Sequence, residues 1–292
     1  MNPVLDGLAV IVTGAGQGLG RAYAIDAAAH GASVVVNDVD PVLADAVVCE
    51  IVRRGGRAIV AAASVADWDA AGSLADTAVR AFGRLDGLVN NAGLLHLARP
   101  EDEDESHVRQ TVNVNLLGPI FCGVHAVRTM IRCGNGGSIV NVSSGYQSGV
   151  PTGATYAATK GATASLTYSW ALDLHRYGIR VNAISPLAQT RQTDYALGRF
   201  RTTGERSALP ASNPPDEIAP IVTFLLSSRA RGINGQMVRF DGRRLAIVGH
   251  PGALKGTVDR DAWTLELIDE ALTTTLKGSM QPVGLDPVRF EE

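Results

Sequence analysis

The sequence predicts a doubly wound α/β domain: a seven-stranded parallel sheet with helices on both faces, followed by a C-terminal helical extension. Three observations carry this reading. Seven short apolar runs lack the polar alternation of a half-exposed strand, as expected where both faces of a parallel sheet are covered. Helical patterns lie between most of them. The first run passes through a glycine-rich turn straight into a helix. With 292 residues, 46% of them hydrophobic, the chain is long enough for one large α/β domain.

The elements follow in order. LAVIV at 8–12 reads as a buried strand, and an Ala-rich helix runs from about 19 to 30, with Gly31 suited to its C-terminal end. SVVVN at 33–37 is the second strand, and Pro41 opens a helix that ends near Arg54, ahead of two glycines. RAIVA near 59, LDGLVNN near 88, GSIVNVSS near 140, IRVNAIS near 182 and GQMVRF near 238 complete the strands. Helices are expected at about 67–82, 104–132, 154–176 and 215–227. The acidic run at 101–105 precedes the longest of these and suits a solvated helix N-terminus. Neither repeat nor linker divides the chain, so 1–250 reads as one domain. DAWTLELIDEAL at 261–272, in the 251–292 extension, is an amphipathic helix whose apolar face needs a partner.

Composition excludes several classes. A net charge of -3 gives no pull toward nucleic acid or an anionic membrane. Cys49, Cys122 and Cys133 form no CxxC and match no zinc spacing, which suits reduced thiols. The N-terminus has no basic region, and the run at 8–12 is too short for a signal or a span, so a cytoplasmic protein is expected.

Two stretches carry chemistry. TGAGQGLG at 13–20 sits between strand and helix. Glycine admits positive φ and close ligand approach, and a helix N-terminus offers free N–H groups to phosphate. Asp38, at the end of the second strand, can take ribose hydroxyls; capping the next helix is its alternative role. Its carboxylate repels a 2′-phosphate, and no Arg or Lys stands at 37–40, so NAD is preferred over NADP. NNAG at 90–93 can approach the cofactor from the other side. The second stretch holds Tyr156 and Lys160, four residues apart on one helix face, behind the strand-ending pair Ser143 and Ser144. An ammonium nearby favours the phenolate and brings a tyrosine toward useful acid–base range.

In this order, TGxxxGxG, Asp38, NNAG, a serine pair and YAATK resemble the short-chain dehydrogenase/reductase family, over roughly residues 5–245. The resemblance implies a seven-stranded Rossmann fold and hydride transfer between NAD(P) and an alcohol or carbonyl carbon. It also implies an Asn-Ser-Tyr-Lys tetrad, no metal, and a homodimer or homotetramer. GAGQGLGRAYA looks most like the hydroxyacyl-thioester dehydrogenase branch. By the same resemblance Tyr156 is the acid–base, Lys160 binds the nicotinamide ribose and lowers the tyrosine pKa, and Asn115 in NLLG holds a proton-relay water, with Asn113 structural. Gly14, Gln17, Gly18, Leu19 and Gly20, with Thr13, match the phosphate loop. Asp38 matches the adenosine-ribose acid, Ser64 and Val65 the adenine contact, and Asn91, Ala92 and Gly93 the central loop. Pro186 and Thr190, with Asn182, match the segment that holds the carboxamide. The lid is expected over about 188–212, where arginines could meet an anionic substrate.

Three departures stand out. Ser64 replaces an Asp, and Leu187 follows SP where the family usually has Gly, which leaves the role of Thr190 open. The third concerns the serine: the usual gap of about thirteen residues before the tyrosine selects Ser143, whereas aligning the strand selects Ser144 with one residue deleted from a loop. Loops absorb deletions more readily than strands absorb a register slip, so Ser144 is favoured and Ser143 is the alternative. The leading expectation is an NAD(H)-dependent oxidoreductase acting on a secondary alcohol or ketone. The alternatives are a non-catalytic NAD(H)-binding sensor or scaffold, and an NADP reductase.

Overall fold

The computed structural model describes residues 3–203, 213–254 and 257–281. Its strands are β1 (Ala9–Val12), β2 (Ser33–Asp38), β3 (Arg57–Ala62), β4 (Gly87–Asn90), β5 (Gly137–Val142), β6 (Ile179–Pro186), β7 (Met237–Phe240) and β8 (Leu245–Val248). They form one sheet in the order β3-β2-β1-β4-β5-β6-β7-β8. All neighbours pair in parallel except β7 and β8.

Alternation along each buried strand divides the core. In β1, Val10 and Val12 face one cluster and Ile11 the other; in β2, Val34 and Val36 oppose Val35. The first cluster is closed by α1 (Gly18–Ala29), α2 (Pro41–Arg53) and α8 (Pro215–Leu226). The second is closed by α3 (Trp68–Phe82), α5 (Gly118–Cys133) and α6 (Ala154–Leu174). Helices on both faces are what the unbroken apolar runs required.

The structure departs from the expected fold in three places. An eighth strand extends the sheet, and it is antiparallel. Gly242, at φ 90°, reverses the chain, and the Asp241 carboxylate accepts from the N–H groups of Arg243 and Arg244 at 2.9 and 2.7 Å. The expected helix at 104–132 is two helices, α4 (Glu105–Val112) and α5, joined by a π-helical turn over Asn113–Leu117. Pro119 explains the break: it has no N–H to donate to the carbonyl four residues back, that of Asn115. In the extension the helix is short, α9 (Leu265–Glu270), capped by Thr264, whose hydroxyl accepts from Leu267 N–H. Its apolar residues Leu265 and Ile268 are exposed, as is Leu272 in the π-helical turn over Ala271–Thr275 that follows.

The stretch Glu105–Cys133 is long and apolar enough to cross a membrane. Its residues Cys122, Ala126 and Met130 are buried in the second cluster, however, so a core position accounts for its composition.

Candidate active site

The strand order reverses between β1 and β4, and a crevice opens there at the carboxyl ends of the parallel strands. The β1–α1 loop lines it. Gly14 and Gly18 take φ of 60° and 56°, and a Cβ on Gly14 would lie 2.8 Å from the Ala92 backbone. A Cβ on Gly20 would lie 2.1 Å from the Gly14 carbonyl oxygen. Gln17, exposed at the N-cap of α1, makes no capping hydrogen bond, and the first turn carries no acid. The first-turn N–H groups of α1 thus have no capping side chain or neighbouring carboxylate, which fits a dinucleotide pyrophosphate. Leu19 packs back on the first core cluster.

Asp38 closes this end. Its two oxygens accept from Gly16 N–H at 2.8 Å and Asp40 N–H at 3.1 Å. The cap of α2 is Asp40, which accepts from Val42 and Leu43 N–H, so the capping alternative for Asp38 does not hold. Ser64 is exposed and its hydroxyl accepts from Ala66 N–H at 3.3 Å. Val65 is buried, and a Cβ on Gly118 would meet its side chain at 2.8 Å.

The central loop is held by Thr13 and Asn91. The Thr13 hydroxyl accepts from Asn91 and Ala92 N–H at 3.0 and 3.1 Å. The Asn91 amide donates to the Thr13 and Gly14 carbonyls at 2.9 and 3.0 Å, so this side chain clamps two loops together. Gly93 completes the floor: a Cβ there would lie 3.5 Å from Asn115 Oδ1 and 3.6 Å from Lys160 Nζ.

Asn115 is fully buried in the π-helical turn. Its side chain accepts from Leu94 N–H at 2.7 Å and donates to the Leu94 carbonyl at 2.8 Å. Asn113 is exposed, as its position two residues away requires. Thr159, which sequence reasoning passed over, accepts from Asn115 Nδ2 at 3.4 Å and donates to the Tyr156 carbonyl at 2.7 Å. Thr163 and Thr167 continue this row along α6, each bonding the carbonyl four residues back, and Thr167 accepts from Asn141 on β5. The i, i+4, i+8 spacing of the threonines was the available signal.

The two serines part company. Ser143 points into the fold, and its hydroxyl donates to the Lys160 carbonyl at 2.9 Å. Ser144 is half-buried at the head of the next turn; its hydroxyl accepts from Tyr146 N–H at 3.2 Å and stands near enough to the Tyr156 phenol to lower its pKa. The residue that reaches the tyrosine is the one that the strand alignment favoured.

Tyr156 and Lys160 lie together, the ammonium 5.5 Å from the ring centroid. Lys160 is buried and donates to the Val142 carbonyl at 2.8 Å. Burial pushes its pKa down to about 8. Burial also pushes the Tyr156 phenol up to about 12, against a smaller lowering by Ser144, while neighbouring Tyr146 adds to the rise. Desolvation therefore dominates this phenol, and the expected lowering by Lys160 does not emerge.

The segment after β6 folds over the site. Pro186 ends β6, Leu187 N–H donates to the Phe240 carbonyl at 3.0 Å, and Gln189 N–H donates to that of Asn213 at 2.9 Å. Helix α7 (Arg191–Thr203) follows. Thr190 accepts from Thr193 N–H at 3.2 Å and sits across the crevice, its methyl 3.9 Å from where a Gly18 Cβ would be. Gln192 ties α7 to the floor by donating to the Gly93 carbonyl at 2.7 Å, a link that no sequence pattern announced. Asn182, by contrast, spends its amide on Ile233 and Gln236 backbone away from the crevice. Residues 204–212 of the expected lid lie outside the described residues.

A family model described as enoyl-(acyl carrier protein) reductase matches residues 14–242. An L-rhamnose 1-dehydrogenase (NAD(P)(+)) of Sphingomonas sp. is 37% identical over 82% of this chain and 96% of its own. A cis-4-hydroxycyclohexanecarboxylate dehydrogenase of Sinomonas cyclohexanicum is 36% identical over 81% and 96%. The crystal structure of a short chain dehydrogenase from Mycobacterium avium superposes with a TM-score of 0.83 at 33% identity, covering 98% of both chains, the extension included. By these matches the chain belongs to the short-chain dehydrogenase/reductase family of nicotinamide-dependent oxidoreductases.

Proposed function

We propose that the protein is an NAD(H)-dependent oxidoreductase that interconverts a secondary alcohol and its ketone, with Tyr156 as the acid–base. The observation that carries this is the convergence of the Ser144 and Tyr156 hydroxyls beside the buried Lys160 ammonium. When bound, the nicotinamide supplies the hydride acceptor or donor. The chain supplies the rest. Tyr156 takes or returns the proton at its phenolic oxygen, and Ser144 holds the substrate oxygen. Lys160 binds the nicotinamide ribose hydroxyls. The Asn115 side chain is committed to Leu94, so its contribution to a relay water is its main-chain carbonyl, which Pro119 deprives of its α-helical donor.

Asp38 supports NAD over NADP: each oxygen accepts one backbone bond and keeps a lone pair for a ribose hydroxyl, while its charge opposes a 2′-phosphate. The phosphate loop from Gly14 to Gly20, the backbone of Val65, the loop Ala92–Gly93, and Pro186 with Thr190 complete the cofactor's surroundings. Residues 1–250 act as one catalytic domain. The exposed Leu265, Ile268 and Leu272 support a role for the extension in contact between copies.

The test is NADH formation with a broad panel of secondary alcohols, wild type against Tyr156→Phe. Turnover that the variant loses by ~10²–10⁴-fold supports the reading. Tight NADH binding without turnover on any substrate favours the non-catalytic binder, which a phenol held neutral by burial also fits. Asp38→Ala is expected to relax the discrimination against NADP, and unchanged preference refutes its role.

A further inference from the structure

The named relatives act on a sugar and on a ring alcohol, so they leave the substrate class open. The surroundings of Tyr156 narrow it. Leu95, Leu97, Tyr146, Val150 and Ala196 pack around its ring as a separate cluster, apart from the two sheet cores. They come from the β4–α4 loop, the turn at Gly145–Ser148, the strand-to-helix loop behind it, and α7. Tyr146 meets Tyr156 edge to face, with centroids 5.9 Å apart and planes at 83°. None of the five carries an ionised group. Burial pushes the Tyr146 phenol up to about 12, so it stays neutral.

The lid helix adds one residue to this wall. Ala196 is buried against this cluster, whereas Arg191, Asp194 and Tyr195 of α7 are exposed.

The wall is also pre-set. Asn115 grips Leu94 at both backbone atoms, the His96 ring stacks on His107 of α4 at 3.9 Å, and Ala98 N–H donates to the Thr152 carbonyl at 2.7 Å. Leu95 and Leu97 lie between these three ties and cannot turn away to admit a polar group cheaply. A polyol placed here would bury hydroxyls without partners, and hydrocarbon leaves such groups uncompensated.

We propose that the substrate presents hydrocarbon to this wall: a secondary alcohol or ketone borne on an apolar ring or branched chain, with Tyr146 and Ala196 setting its size and shape. Tyr146 is the aromatic member of this wall and Ala196 its smallest, so enlarging Ala196 tests the space available to the group. This rests on the reading of Tyr156 as the acid–base.

The experiment compares kcat/KM for cyclohexanol, 1-phenylethanol and 2-propanol with that for L-rhamnose and a 3-hydroxyacyl thioester. It uses wild type, Tyr156→Phe, Ala196→Leu and Ala196→Val, each checked for an unchanged melting temperature. Ring alcohols are expected to exceed the sugar and the thioester by about 10- to 100-fold or more. Ala196→Leu is expected to cut the ring alcohols about 10-fold more than 2-propanol, with Ala196→Val between, and the Val variant carries the test if the Leu variant does not fold. Tyr156-dependent turnover that favours the sugar or the thioester overturns the substrate class and leaves the acid–base reading standing. Equal losses on all substrates overturn the role of Ala196. Absence of Tyr156-dependent turnover across the whole panel overturns the acid–base reading, and this proposal with it.

Discussion

The two ends of the parallel strands are built on opposite plans. At the amino end, Asp86 precedes β4 and is buried, yet all around it is paired. Arg84 donates to both its oxygens at 2.6 Å, Asn135 to one at 3.0 Å, and the first N–H of β1, that of Ala9, to the other at 2.9 Å. These donors hold its carboxyl below the usual range in spite of its burial. The Asp86 carbonyl accepts from Ser138 N–H on β5, so one residue ties β1, β4 and β5. At the carboxyl end the backbone bends at positive-φ glycines, a helix breaks into a π turn, and a buried ammonium holds one carbonyl. Buried polar atoms there, Ser185 Oγ and Asn90 Oδ1, have no partner. The Asp86 network fixes the strands against each other at one end; at the other, these two atoms are left unpartnered.

Substitutions at the two ends should therefore separate stability from turnover. The largest effect is expected at the carboxyl end: Ser144→Ala removes the hydroxyl proposed to hold the substrate oxygen and is predicted to lower kcat/KM by ~10²–10³-fold with little change in melting temperature. Ser143→Ala removes only the bond to the Lys160 carbonyl and is expected to cost about 1 kcal/mol of stability with near-normal turnover. Reversed outcomes would move the catalytic hydroxyl to Ser143. Next is Asp86→Ala, which strands the Ala9 N–H and the Asn135 amide. It should cost about 2–3 kcal/mol in denaturant unfolding, while kcat in the folded fraction stays the same.

Lys160→Met sharpens the contrast, because here activity and stability should move in opposite directions. The lysine pKa is lowered on folding from 10.5 to about 8, so below about pH 8 both states carry the proton and the folded state bears the full penalty. Replacing the ammonium should abolish turnover and raise stability at pH 7 by about 1–2 kcal/mol, after allowance for the lost bond to Val142. Between pH 8 and 10.5 the unfolded wild type holds a proton that the folded form has shed, so its stability rises and the advantage of the variant fades. Unfolding curves of both proteins across this window test the sign directly.

What could be read beforehand follows the same division. The βαβ run was legible because burial on both faces leaves strands uniformly apolar, and Tyr156, Lys160 and Asp38 because each sits at a fixed offset from a strand end or helix turn. The strand argument for Ser144 rests on register, which turns side chains over as a set. The Asp86 network was not legible: Arg84, Ala9 and Asn135 are brought together only by the folded sheet. Strand β8 had a signal that the parallel pattern obscured, an Asp-Gly turn at 241–242 between two apolar runs. The π turn had one too, in Pro119. The wall around Tyr156 had none, since its five members come from four segments whose spacing carries no period.

The smallest predicted effect lies where the two plans meet. Thr152 is the one non-glycine residue at positive φ among the described residues, at 59°, and a β-branched side chain there is strained. Its carbonyl accepts from Ala98 N–H, and so the strained turn is what ties down the end of the loop carrying Leu95 and Leu97. If the strain serves only the turn, Thr152→Gly should relieve it and add up to ~1 kcal/mol of stability with substrate preference intact. If the stiffness of the turn is what holds the wall, the same change should loosen the preference for ring alcohols over 2-propanol even as the melting temperature rises. The pre-set wall favours the second outcome, because hydrogen bonds to Asn115 secure the loop only near its start, and Leu97 lies on the side that Thr152 holds.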